Sequence, residues 1–324
     1  MENILVTAIG SFSADIVIKD LKRHGYKVIG TDINQKELIV DAYNVDKFYR
    51  SPYASNENEY LRFLKEIITR EKINYVIPLT DFEIDVINKH REKIENNDCI
   101  VCISDIDSIN ICRNKMKTYQ KLKDNDISTC IPTFLLSLID DFREFKYPLV
   151  LKPYEGRSSQ GLIYIETYKE LIESIKKIDT SKYICQPKIN GIVVTVDVIR
   201  DPHTNQTVSI SRKEMLRTLN GAGTSVYIFK DLRLDVLVDE ITNVLGVKGC
   251  VNFEFIYNEN DDCYYFIECN PRFSGGVEFS CIAGYDMVIN HLNIFKNKKI
   301  DKLYEIKNQY IARKYEEYVT FVNE

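Results

Sequence analysis

Apolar and polar positions change period repeatedly along the first hundred residues. Ile4–Ala8 is a mostly apolar run of strand length, Ser13–His24 carries apolar residues at helical spacing, and Lys27–Thr31 is apolar again before Asp32. The exchange continues with a helical stretch over Tyr60–Glu71, a strand at Tyr75–Leu79, a helix near Phe82–Glu95 and a strand at Cys99–Ile103. Strands separated by helices in this way predict a parallel sheet covered on both faces. The pattern then shifts. A Lys-rich helical stretch, Ser108–Asp124, leads past Pro132 and Pro148 into the strand Leu149–Pro153. Tyr183–Ile199 is mostly strand with a turn at Asn190-Gly191, and Val208–Lys213 and Thr224–Phe229 add further strands. Asp231–Leu245 predicts a helix ended by Gly246. Val251–Tyr257 and Cys263–Cys269 flank the polar turn Asn258–Asp262 as an antiparallel pair, and the charged stretch after Lys296 is expected to be peripheral.

Composition narrows the function classes. A chain of 324 residues suits two or three subdomains of roughly 100 residues each. With 44% apolar and 28% charged residues it can bury a sizeable core. A net charge of −5 gives no general attraction to nucleic acid or to anionic membranes, and leaves a local basic site for an anionic substrate open. Runs such as Tyr75–Leu79 and Tyr147–Leu151 fall far short of the roughly 18 residues of a membrane helix. Met1–Val6 enters a strand without a basic stretch or cleavage site, so a cytoplasmic address is expected. The nine cysteines are scattered, and Cys99 and Cys102 sit inside an apolar run with no second pair, so reduced thiols are expected rather than a metal knuckle. The four histidines are far apart and lack partners at ligand spacing.

Candidate chemistry lies elsewhere. The turn Ala8–Ser13 has one glycine where a dinucleotide-binding turn needs three, which argues against an NAD site despite Asp32. Of the 13 glycines, Gly156 and Gly161, Gly221 and Gly223, and Gly275 and Gly276 are grouped in three loops. The first follows Lys152 as Gly156-Arg157-Ser158-Ser159-Gln160-Gly161, a small-residue loop after a strand lysine that suits polyphosphate, although an ordinary hairpin has the same composition. It is not a Walker loop, since no Gly-Lys-Ser/Thr closes it. Further on, alternation places Asn252 with Glu254 on one face, and Glu268 with Asn270 on one face of the next strand. Two carboxylates and an amide on adjacent strands form a hard-oxygen set of the kind Mg²⁺ accepts beside phosphates. Phe253, Phe255, Phe266 and Ile267 make the opposite face apolar, and Arg272 offers a fork to a phosphoryl group or carboxylate.

Glu254 with Glu268-Cys269-Asn270-Pro271-Arg272-Phe273-Ser274-Gly275-Gly276, and Lys152-Pro153 with its glycine loop upstream, resembles the ATP-grasp superfamily, in the flavour of carbamoyl phosphate synthase and ATP-grasp amino-acid ligases. The resemblance implies an α/β chain with a Rossmann-like leading (pre-ATP-grasp) domain over 1–106, followed by a two-subdomain α+β ATP-grasp fold. Its small subdomain with the glycine-rich lid would span 107–184, and the subdomain with the metal site 185–324. It implies ATP as cosubstrate, with Lys115 and Lys152 on its phosphates and Gly156, Arg157, Ser158, Ser159 and Gly161 in the lid. Gln186, Pro187, Lys188 and Ile189 would hold adenine, and Lys213, beside Arg212, would add a phosphate contact. Glu254, Glu268 and Asn270 would bind Mg²⁺, or Mn²⁺ in its place, and Arg272 with Lys152 would serve catalysis. The family commonly has Glu where Pro187 stands, and often has Glu for the ribose where Val193 stands.

The chemistry implied by the resemblance is activation of a carboxylate as an acyl phosphate and its transfer to an amine, with ADP and phosphate released. The partners are then a small-molecule carboxylate and amine, and a homodimer is the expected assembly. Asp81, Glu83, Arg217, Ser274 and Glu278 are candidates for the acceptor cavity. A catalytically silent ATP-binding regulatory protein is the alternative.

Overall fold

The computed structural model describes residues 2–157, 160–218, 221 and 223–322. Its first unit is a five-stranded sheet of β1 (Asn3–Thr7), β2 (Lys27–Asp32), β3 (Lys47–Arg50), β4 (Tyr75–Pro78) and β5 (Ile100–Val101), all parallel in the order β3-β2-β1-β4-β5. The helices between are α1 (Ala14–Arg23), α2 (Glu57–Glu71) and α3 (Asp81–Lys89). Alternation along β1 separates the two faces: Ile4 and Val6 pack with α1, whereas Leu5 packs with α2 and α3. A parallel sheet covered on both sides is thus what the strand–helix rhythm of the first hundred residues produces.

The Lys-rich stretch expected as one helix is two, α4 (Ile106–Cys112) and α5 (Lys115–Lys123). Asn114 divides them because its side chain accepts from the backbone N–H groups of Met116 and Lys117, capping a new helix. Next come β6 (Phe134–Leu135), β7 (Leu149–Pro153), β8 (Ile163–Ile165), α6 (Tyr168–Ile175) and β9 (Tyr183–Pro187), whose strands form a small antiparallel sheet in the order β6-β9-β7-β8. The remaining elements are β10 (Ile192–Asp201), β11 (Gln206–Arg217), β12 (Gly223–Phe229), α7 (Leu232–Leu245), β13 (Gly249–Asn258), β14 (Cys263–Asn270), α8 (Val277–Ile282), α9 (Met287–Phe295) and β15 (Gln309–Ala312). Their strands make a six-stranded antiparallel sheet, β14-β13-β10-β11-β12-β15. The tail is therefore not merely peripheral, since β15 extends this sheet along β12. The turn at Asn190-Gly191 separates β9 from β10, which join different sheets. Gly191 is required there, because a Cβ would come within 2.2 Å of the Tyr257 carbonyl oxygen.

The six-stranded sheet has two unlike faces. Val194, Val196, Val198, Phe253, Phe255 and Phe266 pack under α7, and truncating one of the phenylalanines to Ala would cost about 3–5 kcal/mol. The opposite face carries Thr195, Asn252, Glu254 and Arg212, which line a cavity. Strict alternation would put Glu268 on the side of Phe266. A β-bulge prevents this: Glu254 pairs with Glu268 and Phe255 with Phe266, leaving Ile267 unpaired. Ile267, expected among the apolar residues of the core face, lines a cavity instead.

Candidate active site

Two cavities of about 420 and 440 Å³ meet where Arg157, Arg217, Glu254 and Glu268 line both. The first lies between the sheets. Val150 of β7 and Leu162 before β8 face Val193, Ile256 and Ile267 of the larger sheet, forming an apolar slot. Gln186, Pro187, Lys188 and Ile189 border it, as do Gly156, Lys115 and Lys152. Gln186 is buried and donates its amide to Thr133 Oγ1 (2.7 Å). The Lys188 backbone N–H is bonded to the Pro148 carbonyl (3.0 Å), and its ammonium pairs with Glu166 (2.9 Å). Gly161 needs its missing side chain, with φ at +73° and a hypothetical Cβ 2.8 Å from the Tyr183 hydroxyl. Ser158 and Ser159 lie outside the described residues.

At the mouth of this slot the charges converge. The cap at Asn114 starts α5 so that Lys115 projects from its first turn, and the Lys115 ammonium lies 3.2 Å from Glu268 Oε2 and 3.4 Å from the Gly156 carbonyl. Burial, then the like charge of Lys115, pulls Lys152 down to about 8. Burial alone would raise Glu268, but Lys115 and Lys152 hold its carboxyl below the usual range. Glu254, directly opposite Glu268 in register, is pushed up to about 7 by burial and then by its neighbour's charge. Asn252 and Asn270 pair in register beside them, and Asn270 donates to Glu268 Oε1 (3.3 Å).

This donor set fits a divalent cation shared with a ligand. Two adjacent, half-buried carboxylates repel unless a cation or proton intervenes. Among the described residues no three His, Cys, Asp or Glu cluster to hold a metal unaided. Two carboxylates and an amide need further oxygens, the arrangement Mg²⁺ adopts with phosphates.

Arginines surround the second cavity. Arg272 makes a two-pronged pair with Asp81 at the start of α3, both contacts at 3.1 Å, and reaches Asn270 Oδ1 (3.4 Å). Arg212 is fully buried between Asp197 (2.5 Å), Glu214 (3.1 Å) and the Ser274 hydroxyl (3.1 Å). Gly276 leaves it room, since a Cβ there would sit 2.9 Å from Arg212 Nη2. Arg217 reaches the same side because Met215 is unpaired in the β11–β12 ladder, a bulge that reverses the alternation; its guanidinium lies 3.7 Å from Glu254.

Of the residues expected around an acceptor, Asp81, Arg217 and Ser274 line this cavity. Glu83 does not: its buried carboxyl accepts hydroxyl hydrogen bonds from Thr7, Tyr60 and Thr80 beneath α3, and burial raises it to about 7 against those bonds. Glu278 points instead toward Arg313 (4.0 Å). Lys213 is a correction to the expected phosphate contact. Alternation sends it to the face away from Arg212, where its ammonium lies 5.6 Å from the ring centres of Phe229 and Tyr257. Asp85 and Arg113 were not anticipated. Arg113 pairs with Asp85 (2.8 Å) and Asp81 (3.5 Å), and the only signal in the chain was that Asp81 and Asp85 are one helical turn apart.

Comparison with known proteins places this geometry. A family model described as ATP-grasp domain matches residues 112–276, and one described as PylC-like, N-terminal domain matches residues 4–102. A carbamoyl-phosphate synthase from Methanobrevibacter smithii is 21% identical over 283 residues, covering 82% of this chain and 73% of the relative. Among solved structures, the biotin carboxylase domain dimer of Hydrogenobacter thermophilus 2-oxoglutarate carboxylase, with MgADP, ADP and bicarbonate, superposes with a TM-score of 0.76 at 17% identity, covering 95% of this chain and 73% of that one. An L-amino acid ligase from Bacillus licheniformis gives 0.69 at 16% identity over 91% and 74%. Among the described residues no helix is long and apolar enough to cross a membrane.

Proposed function

This chain belongs to the ATP-grasp family of carbon–nitrogen ligases, and from that premise we propose that it joins a carboxylate, of amino-acid type, to an amine at the expense of ATP. The observation that carries the reading is the opposed pair Glu254 and Glu268 where the two cavities meet, with Lys115 and Lys152 converging on it.

ATP would enter the apolar slot, with its base between Val193, Ile256 and Ile267 and the wall of β7, and Gln186–Ile189 at its edge. Lys115 and Lys152 would neutralise its phosphates, and the loop from Gly156 to Gly161, Arg157 included, would border them. Glu254, Glu268 and Asn270 would hold Mg²⁺, which when bound supplies charge neutralisation to the transferring phosphoryl group. A carboxylate oxygen from the second cavity attacks the γ-phosphorus and ADP departs. The amine nitrogen then attacks the acyl carbon, phosphate leaves, and the amine proton passes to solvent. Arg272, aimed by Asp81, would balance the charge of the transferring phosphoryl group. No side-chain nucleophile is required.

Incubation with ATP, Mg²⁺ and pools of amino acids and other carboxylic acids, following phosphate and ADP, tests the reading. Phosphate release that depends on one pool supports it. AMP and pyrophosphate would replace it with an adenylating mechanism. Nucleotide binding without turnover would favour the silent, regulatory alternative, for which the departures at Pro187 and Val193 are the supporting observations.

A further inference from the structure

Arg157 belongs to the glycine-bounded loop after β7, yet its guanidinium is held by the leading domain. Its Nη2 lies 2.7 Å from Asp85 Oδ2, and its carbon centre is 3.8 Å from the ring centre of Phe82. Both partners stand on the first two turns of α3, 72 positions from Arg157 in the case of Asp85. Asp85 is itself fixed by two contacts from Arg113, at 2.8 and 3.2 Å. Stacking sets the plane of the guanidinium and the ion pair sets its rotation within that plane. Phe82 is 61% exposed, so burial of its ring does not account for its place.

The remaining nitrogen of Arg157 shows what this clamp presents. Nη1 is buried and has no hydrogen-bond partner among the described residues, and Arg157 lines both cavities at their junction. A buried guanidinium N–H without an acceptor is costly, and an anionic oxygen at the junction would repay it. The neighbouring arginines are committed differently: Arg272 to Asp81, and Arg212 to Asp197, Glu214 and Ser274.

Resting on the nucleotide site proposed above, we propose that Asp85 and Phe82 are positioning residues through which the leading domain aims Arg157 Nη1 at the terminal phosphate of ATP. ADP ends one phosphate short and does not reach this contact. The leading domain then takes part in telling ATP from ADP, although neither Asp85 nor Phe82 touches the nucleotide's phosphates.

The test is calorimetric binding of Mg²⁺ with a non-hydrolysable ATP analogue, and of Mg²⁺ with ADP, to the full chain and its variants. Asp85→Asn is expected to weaken the analogue by about tenfold or more and to leave ADP within about twofold. Phe82→Leu is expected to act in the same direction by about threefold, and Phe82→Tyr, which keeps the ring face, to restore affinity. Charge alone predicts the opposite sign, because removing an anion beside the phosphates tightens the more negative nucleotide. Tighter analogue binding in Asp85→Asn, or equal shifts for both nucleotides, overturns the proposal. If the wild-type chain binds neither nucleotide, the site assignment and this proposal fall together. If it binds both but releases no phosphate with any carboxylate, the ligase reading fails and the analogue-to-ADP ratio still decides the proposal.

Discussion

The two cavities are nearly equal in volume and share four charged residues at their junction, but differ in how the remaining charges are matched. In the slot and at its mouth the charged groups are incompletely matched: Lys152 is lowered to about 8, Glu254 at the junction is raised to about 7, and Lys115 reaches toward Glu268. Around the second cavity most charges are already compensated, Arg272 by Asp81 and Arg212 by Asp197 and Glu214. Unmatched charge marks a place where a polyanion and a cation complete the structure. Compensated charge marks a wall that selects by shape and hydrogen bonding while contributing to the fold.

The largest effect separating the two cavities is expected from Glu268→Gln. Loss of this carboxylate should lower turnover by about a thousandfold or more with little change in melting temperature, measured by phosphate release and thermal unfolding. Near-normal turnover would place the metal elsewhere. Arg212→Met should do the reverse, destabilising the protein by about 3–5 kcal/mol because Asp197 and Glu214 would be left buried without their cation. Chemical denaturation would read this, and an unchanged midpoint would mean that the second cavity is not compensated in the way described. A smaller effect is expected with pH. The Lys152 ammonium loses its proton as pH rises through about 8, so ATP affinity should fall above that point, by at most about tenfold per unit. Lys152→Arg should flatten the profile, and a wild-type profile already flat to pH 9 would remove Lys152 from the phosphates. The smallest effect is expected from Lys213→Met, which should leave nucleotide affinity within about twofold because its ammonium lies over Phe229 and Tyr257.

The same contrast governs what the chain made legible. Most of the parallel sheet could be anticipated because β1, β2 and β4 are short, largely buried apolar runs. In contrast β3, Lys-Phe-Tyr-Arg with exposed ends, carries no such signal. The β13–β14 hairpin was legible because its turn is polar and its flanks alternate. Glu254, Glu268, Asn270 and Arg272 fall in two short segments whose residue types announce their chemistry. Local competition hid other features. Asn114 interrupts what the spacing presents as one helix, because its side chain accepts from the Met116 and Lys117 amides. The bulges at Ile267 and Met215 decide which way Glu268 and Arg217 face, and a period-two count does not contain them. Arg157 meets Asp85 across 72 positions of chain, a contact that no local pattern encodes. The β15 strand was obscured by the charge of the tail around it.

Attack of a carboxylate on the terminal phosphate of ATP can be followed with an oxygen label. Once a productive carboxylate is known, it is supplied with ¹⁸O in its carboxyl group, together with ATP, Mg²⁺ and the amine, and the released phosphate is analysed by mass. Attack at the γ-phosphorus is expected to leave one ¹⁸O atom in the phosphate for each product formed, with ADP as the nucleotide product. Unlabelled phosphate, or ¹⁸O appearing in AMP, would contradict it.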